Sequence, residues 1–270
     1  MSKHILRMAP IFQSKIWGGQ RLSTVFDYPI PSDHTGECWA ISGHPGGDCA
    51  IVGGPYDGKT VAWLWKNEPQ LFGTLPGDIF PLLIKIIDAK DDLSIQVHPN
   101  DAYANVHENG SLGKTECWYV LDCDEGATII VGHNASSTEE MAKMVEENRW
   151  SELLRQVPIH KGDFFQIDPG CLHAIKGGTL ILETQQSSDV TYRFYDWERV
   201  DKNGNKREVH LEKAVAANAI QLKLSIEEVV TDIRMLVIGN AFEWALRNGE
   251  VDMKENIRRS ISHYLDGVLM

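Results

Sequence analysis

Four short stretches of this chain carry side chains that could act together. In Gln96-Val97-His98-Pro99-Asn100-Asp101, Gln96 and His98 stand two residues apart. On a β-strand that spacing aims both at one face, and an amide with an imidazole so placed makes half of a metal site. Pro99 cannot continue a central ladder, so the strand should end just after His98. The plainer reading of His98 alone is a hydrogen-bonded histidine at a strand end. Gly113-Lys114-Thr115-Glu116-Cys117-Trp118 repeats the spacing with Lys114 and Glu116. A carboxylate entering a Trp-Tyr-Val strand at its inward position is costly unless paired or bound to a cation, whereas an exposed Lys-Glu pair is the ordinary alternative. In Asp168-Pro169-Gly170-Cys171-Leu172-His173, a Pro-Gly turn brings His173 to the start of the next strand. Gln96, His98, Glu116 and His173 together form an N/O set that suits zinc with an open position, or another borderline divalent ion. In Ser187 to Phe194, Asp189 and Arg193 share a face if the piece is extended, with Arg193 pointing opposite to Tyr192 and Phe194. That aims a guanidinium into a barrel whose outer face is aromatic; a solvated arginine is the alternative.

The elements that must hold these residues are mostly short strands. Glu37–Ser42 and Cys49–Val52 flank a Gly-Pro loop, and Thr60–Trp65 suits a short helix. Phe80–Asp88 reads as a buried strand, and Leu93–His98 alternates with period two. Glu116–Leu121 and Ala127–Gly132 are strands around an acidic turn, and Asp163–Ile167, Thr179–Thr184 and Val190–Phe194 are further strands. Thr138 to Leu154 reads as one helix, capped by Ser137 or Thr138 with acids in its first turn. Turn signals about every ten residues favour an antiparallel sandwich or barrel. From Ser225, whose Ser-x-x-Glu pattern is a capping box, the chain reads as helix, interrupted at Gly239-Asn240 and ended at Gly249, with a final helix capped by Asp252.

The 270 residues carry 38 acidic and 26 Lys plus Arg side chains, a formal net charge of −12. Such a balance disfavours nucleic acid as a partner, since a phosphate backbone needs a basic face. It leaves room for a small phosphorylated ligand in a locally basic pocket. No apolar run approaches the roughly 20 residues that span a bilayer, so no membrane partner is expected. The five cysteines form no C-x-x-C pair and read as reduced thiols, which points to the cytoplasm.

With Ile16-Trp17-Gly18-Gly19 and Gly36-Glu37-Cys38-Trp39, these stretches resemble the class I mannose-6-phosphate isomerases (phosphomannose isomerases), nearest the short bacterial type. The resemblance runs from Pro10 to about Asp196, and its most specific element is Gln-x-His-Pro-Asn-Asp. It implies a mainly β fold, a cupin-type antiparallel β-barrel (jelly roll) over residues 1–224, with a helical insertion at about 138–155. Residues 225–270 then stand as a helical segment in place of the family's second β-domain. That segment is expected to pack on the barrel, with self-association through its apolar helical faces as the alternative. The resemblance further implies one zinc ion per chain on Gln96, His98, Glu116 and His173. Arg193 matches the arginine that assists proton transfer, Asp189 its acidic neighbour, Lys85 and Lys114 lysines facing the substrate, and Trp17 a tryptophan near the pocket. Glu183 lies on a strand beside the site. The implied reaction interconverts mannose 6-phosphate and fructose 6-phosphate through a cis-enediol. The proton-transferring base stays open between Lys114, a hydroxide at the metal and Glu183, and Arg193, Lys85 and Lys114 are the cations available to the phosphate. Two other readings fit part of the set: a cupin oxygenase holding iron on His98, Glu116 and His173, and a non-catalytic sugar-phosphate-binding cupin.

Overall fold

Alternation of inward and outward residues organises the molecule, whose computed structural model describes residues 5–73, 75–200 and 204–218. These belong to one compact unit, residues 1–218. The helix read from Ser225 onward, and with it the boundary at 224, lies outside the described residues. The strands are β1 (Arg7–Ala9), β2 (Ile11–Gly19), β3 (Thr35–His44), β4 (Gly47–Asp48), β5 (Ala50–Val52), β6 (Leu82–Ala89) and β7 (Ile95–Val97). They continue with β8 (Glu116–Cys123), β9 (Thr128–His133), β10 (Leu154–Pro158), β11 (Phe164–Ile167), β12 (His173–Ile175), β13 (Thr179–Gln186) and β14 (Tyr192–Tyr195). The helices are α1 (Arg21–Phe26), α2 (Val61–Asn67), α3 (Asp101–His107), α4 (Thr138–Glu146), α5 (Trp150–Leu153) and α6 (Leu211–Asn218).

Two antiparallel sheets face each other as a jelly roll of the cupin type. One has the order β11-β8-β13-β6-β2-β3-β4, the other β10-β9-β12-β7-β14, and β1 pairs with β5 apart from both. Between the sheets lies a core of Trp17, Ile87, Trp118, Val120, Ile129, Ile167, Ile175 and Ile181. The outer face of the five-stranded sheet carries Ile95, Val97, Ile130, Ala174, Tyr192 and Phe194, packed with Met141, Met144 and Leu153 of α4 and α5 and Ala214 of α6. Fully burying each of the larger apolar side chains contributes about 1.5–3 kcal/mol. With Ile95 and Val97 committed outward, period two leaves Gln96 and His98 only the inner side.

The stretch from Thr138 to Leu154 departs from a single helix. It breaks between α4 and α5 at Asn148, whose φ of 56° is left-handed, and Leu154 already begins β10. The helical insertion is thus two helices ending at Leu153. Ser137 caps α4 by accepting the Glu140 N–H. Asn100 caps α3 in the same way through the Tyr103 N–H, so Pro99 ends β7 and the next residue opens a helix.

Gly113 clamps this turn to the strand that follows. Its N–H donates to Asp101 Oδ1 at 2.8 Å, and the Lys114 N–H to the Pro99 carbonyl at 3.0 Å. A Cβ on Gly113 would lie 2.8 Å from the Pro99 carbonyl oxygen and closer still to the backbone of Asn100 and Asp101. Gly113→Ala is therefore expected to cost about 1–3 kcal/mol by overpacking, read as a lowered melting temperature. It should also lower activity, because His98 and Lys114 stand on the two clamped segments.

Candidate metal centre

Three strand ends supply the central cluster. β12 pairs with β7 so that His173 lies opposite Gln96. The Gly170 N–H donates to the His98 carbonyl at 2.8 Å, which fastens the Pro169-Gly170 turn to the end of β7. Glu116 opens β8 on the facing sheet, with Trp118 and Val120 after it on the same inward face. One donor atom from each of His98, Glu116 and His173 lies within 4.8 Å of the others, and all three residues are at most 1% exposed. His173 Nε2 is 3.4 Å from Glu116 Oε1, and His98 Nε2 is 3.5 Å from Glu116 Oε2. Gln96 Nε2 stands 3.3 Å from His173 Nε2, and a half-turn of the amide would present its oxygen at the same point. All four residues expected as ligands are thus brought together.

The surroundings prepare both imidazoles as ligands. His98 Nδ1 is 2.9 Å from the Val190 carbonyl and His173 Nδ1 is 2.8 Å from the Cys171 carbonyl. A carbonyl only accepts, so each Nδ1 carries the hydrogen and each Nε2 turns its lone pair inward. Burial, with Lys114 next in weight, holds His98 well below the usual histidine range. Burial likewise takes His173 down to about 4. Both rings are therefore neutral at neutral pH, the form a metal requires. Burial and the neighbouring Glu183 charge push Glu116 up, against the pull of Lys114. Lys114 Nζ lies 2.9 Å from Glu116 Oε2 and 3.0 Å from His98 Nε2, and Glu116 Oε1 has no hydrogen-bond partner. A buried carboxylate with one unpartnered oxygen beside two inward lone pairs is a donor set that fits a divalent cation of the zinc type.

The wall beside this cluster is a row across the seven-stranded sheet. Trp39 pairs with Lys85, Lys85 with Glu183, and Glu183 with Trp118, on four adjacent strands. Lys85 Nζ meets Glu183 Oε1 at 3.1 Å, and Trp118 Nε1 donates to Glu183 Oε2 at 3.1 Å. Burial alone would raise the pKa of Glu183; Lys85, then Lys114, outweigh it and hold the carboxylate ionised. Lys85 stays charged despite burial because Glu183 and Glu37 face it. Glu37 adds a third carboxylate, accepting from Trp39 Nε1 at 2.7 Å and paired with Lys15 at 3.4 Å. Sequence reasoning assigned Glu37 no part; the signal was its two-residue spacing from Trp39.

The remaining expected residues lie outside the His98–Glu116–His173 cluster itself. Trp17 is 4% exposed within the core between the sheets, against Gly36, which has no Cβ to obstruct the ring. Arg193 lies opposite Gln96 in the β14–β7 register, while Tyr192 and Phe194 turn to the outer cluster, as their alternation requires. Asp189 does not share a strand with Arg193, because β14 begins only at Tyr192. Its carboxylate is exposed and lies 3.8 Å from His44 Nε2. All five cysteines are free. Among the described residues no helix is long and apolar enough to cross a membrane.

Comparison with known proteins decides the family. The family model of the phosphomannose isomerase type I catalytic domain matches residues 5–127. Mannose-6-phosphate isomerase ManA of Bacillus subtilis (strain 168) is 54% identical over 215 residues, 80% of this chain and 68% of that one. The chain belongs to the type I phosphomannose isomerase family. A further relative, mannose-6-phosphate isomerase of Streptococcus mutans serotype c, is 47% identical over 249 residues, 89% of this chain and 78% of that one. The crystal structure of the Bacillus subtilis mannose 6-phosphate isomerase superposes with a TM-score of 0.77 at 52% identity, over 78% of this chain and 68% of that one. A variant of phosphomannose isomerase from Salmonella typhimurium shares the fold with a TM-score of 0.60 at 15% identity, over 78% of this chain and 73% of that one.

A LonB-like AAA domain model also matches, over residues 126–258. The described strands of that span complete the same two sheets, and the span holds no phosphate-loop sequence. The one stretch with that spacing, Gly53 to Thr60, lies outside it. There Asp57 Oδ1 accepts the Gly53 N–H, and Thr60 Oγ1 is committed to capping α2. The isomerase family therefore accounts for the architecture on both sides of residue 126.

Proposed function

We propose that this phosphomannose isomerase family member interconverts mannose 6-phosphate and fructose 6-phosphate in the cytoplasm, with one zinc ion held by Gln96, His98, Glu116 and His173. The observation that carries the reading is the buried His98–Glu116–His173 cluster with Gln96 beside it. It occurs in a chain 54% identical to a protein named mannose-6-phosphate isomerase.

The isomerisation removes a proton from C2 and returns one to C1 through a cis-enediol. A divalent cation in the centre supplies a Lewis acid for charge developing on the sugar oxygens. Lys114 is the ionisable side chain nearest the ligand atoms without belonging to the set, and it moves the proton. Glu183 is held ionised by Lys85 and so accepts hydrogen bonds from sugar hydroxyls rather than donating a proton. The Lys85–Glu183 row orients the sugar, and Trp118, edge-on to the His173 ring at 5.5 Å, closes the floor. In this reading the exposed Asp189, 3.8 Å from His44 Nε2, makes a polar contact with the incoming sugar. Gln96 as a fourth donor and Lys114 beside the set favour this chemistry over iron-dependent oxygenation.

Fructose 6-phosphate formation from mannose 6-phosphate, followed in a coupled assay, should stop with a strong chelator and return with zinc salts. Unchanged turnover after verified removal of all metal would overturn the assignment.

A further inference from the structure

The lysines of the centre are already engaged. Lys85 is matched by Glu183 at 3.1 Å and by Glu37, and Lys114 stands among the proposed metal ligands, 2.9 Å from Glu116. A phosphate dianion requires cationic charge that the protein has not neutralised itself. Such a surplus gathers where β14 ends, at the Ile95 end of its pairing with β7. Asp196, buried just past β14, accepts Arg207 Nε on Oδ2 at 2.7 Å and Arg207 Nη2 on Oδ1 at 2.5 Å. Arg199 Nη2 reaches the same Oδ1 at 2.7 Å. Arg193 lies beside this group, with its Nη1 donating to the Glu208 carbonyl at 2.7 Å. Three guanidinium groups thus gather around one buried carboxylate. The Glu208 carboxylate is turned to solvent, its side chain 82% exposed and near His210.

The cluster is only partly satisfied internally: Arg199 Nη1 also donates to the Asp92 carbonyl, but two features remain. The Nε atoms of Arg193 and Arg199 are enclosed with no hydrogen-bond partner. Arg193 is destabilised as a cation, first by burial and then by crowding from Arg207, with Arg199 adding to it. An anion is the natural relief for such a gathering. The side chains of Arg199 and Arg207 remain 22% and 30% exposed, so the group keeps an open side. Arg193 connects it to the centre, since it lies opposite Gln96 in the strand register. A hexose 6-phosphate has its reacting carbons and its phosphate at opposite ends of a six-carbon chain, which suits two subsites on neighbouring strands.

We infer that Arg199 and Arg207, held in place by Asp196, join Arg193 in binding the substrate's phosphate and set the preference for phosphorylated over free aldoses. The inference rests on the isomerase reading and assigns its phosphate subsite. Asp196 is a positioning residue: it orients the Arg207 fork and does not meet substrate.

The test uses the full-length, zinc-loaded enzyme and compares Arg207→Gln and Arg207→Lys with the parent. In Arg207→Gln the KM for mannose 6-phosphate should rise about tenfold or more, with kcat and metal content little changed. The inhibition constant for inorganic phosphate should rise in parallel. Arg207→Lys should fall between, because it keeps the charge but loses the bidentate fork. An unchanged KM and unchanged phosphate inhibition would overturn the proposal, as would a fall in kcat or melting temperature alone. Should Arg207→Gln fail to fold, Arg207→Lys carries the same two readouts. A parent that binds inorganic phosphate through Arg207 yet turns over no mannose 6-phosphate would refute the isomerase reading and leave the subsite standing.

Discussion

His98→Ala and His173→Ala are each expected to yield protein that retains neither zinc nor isomerase activity. Each ring donates through Nδ1 to a backbone carbonyl and turns Nε2 toward Glu116, so neither has a spare donor atom to take over the lost role. Loss of partners behind a ligand already weakens metal binding by about 10–100-fold, and loss of the ligand itself should exceed that. The Val190 or Cys171 carbonyl also loses its partner, at a stability cost of about 1–3 kcal/mol. Metal content after dialysis, circular dichroism and turnover measured on one preparation separate loss of the ion from loss of fold. Stoichiometric zinc with full turnover in either variant would remove the proposed centre.

Lys114→Met should produce the opposite pairing of metal and activity. The Lys114 ammonium lies 2.9 Å from Glu116 Oε2 and 3.0 Å from His98 Nε2, so it competes with a cation for two donor atoms. Methionine preserves much of the side-chain length without the charge. Zinc should bind at least as tightly, while turnover falls by about 10²–10⁴-fold, the range associated with a lost general acid or base. Zinc titration against a competing chelator, beside steady-state kinetics, tests both halves. Near-normal kcat would transfer the proton-moving role to another group. Weakened zinc binding would show that Lys114 supports the ligands rather than competing with them.

The candidate ligands could be placed on one face from sequence because each pair obeys a local rule. Gln96 and His98, like Glu116 and Trp118, need only period two and an apolar set on the other face to be assigned inward. The alignment of Lys85 with Glu183 and Trp118 could not be read this way, since it depends on the register of β6, β13 and β8 across long stretches of chain. Asp189 and Arg193 illustrate the limit from the other side. The segment before β14 is kept off the ladder by side chains that satisfy its backbone: Gln185 Nε2 donates to the Ser188 carbonyl and Ser188 Oγ to the Leu112 carbonyl. A period-two reading assumes extended backbone and cannot anticipate such bonds. The broken helix at Asn148 did carry a signal, as asparagine tolerates the left-handed conformation that ends α4. The cap at Asn100 was hidden behind Pro99, which explains the end of a strand without disclosing the helix that follows.

The candidate ligands sit on or directly beside paired strands, whereas Asp189 and His44 lie where strands give way to loops. Loops tolerate insertion and exchange far better than a ladder does. Residues there can therefore be exchanged without disturbing the ladder that carries the proposed ligand set.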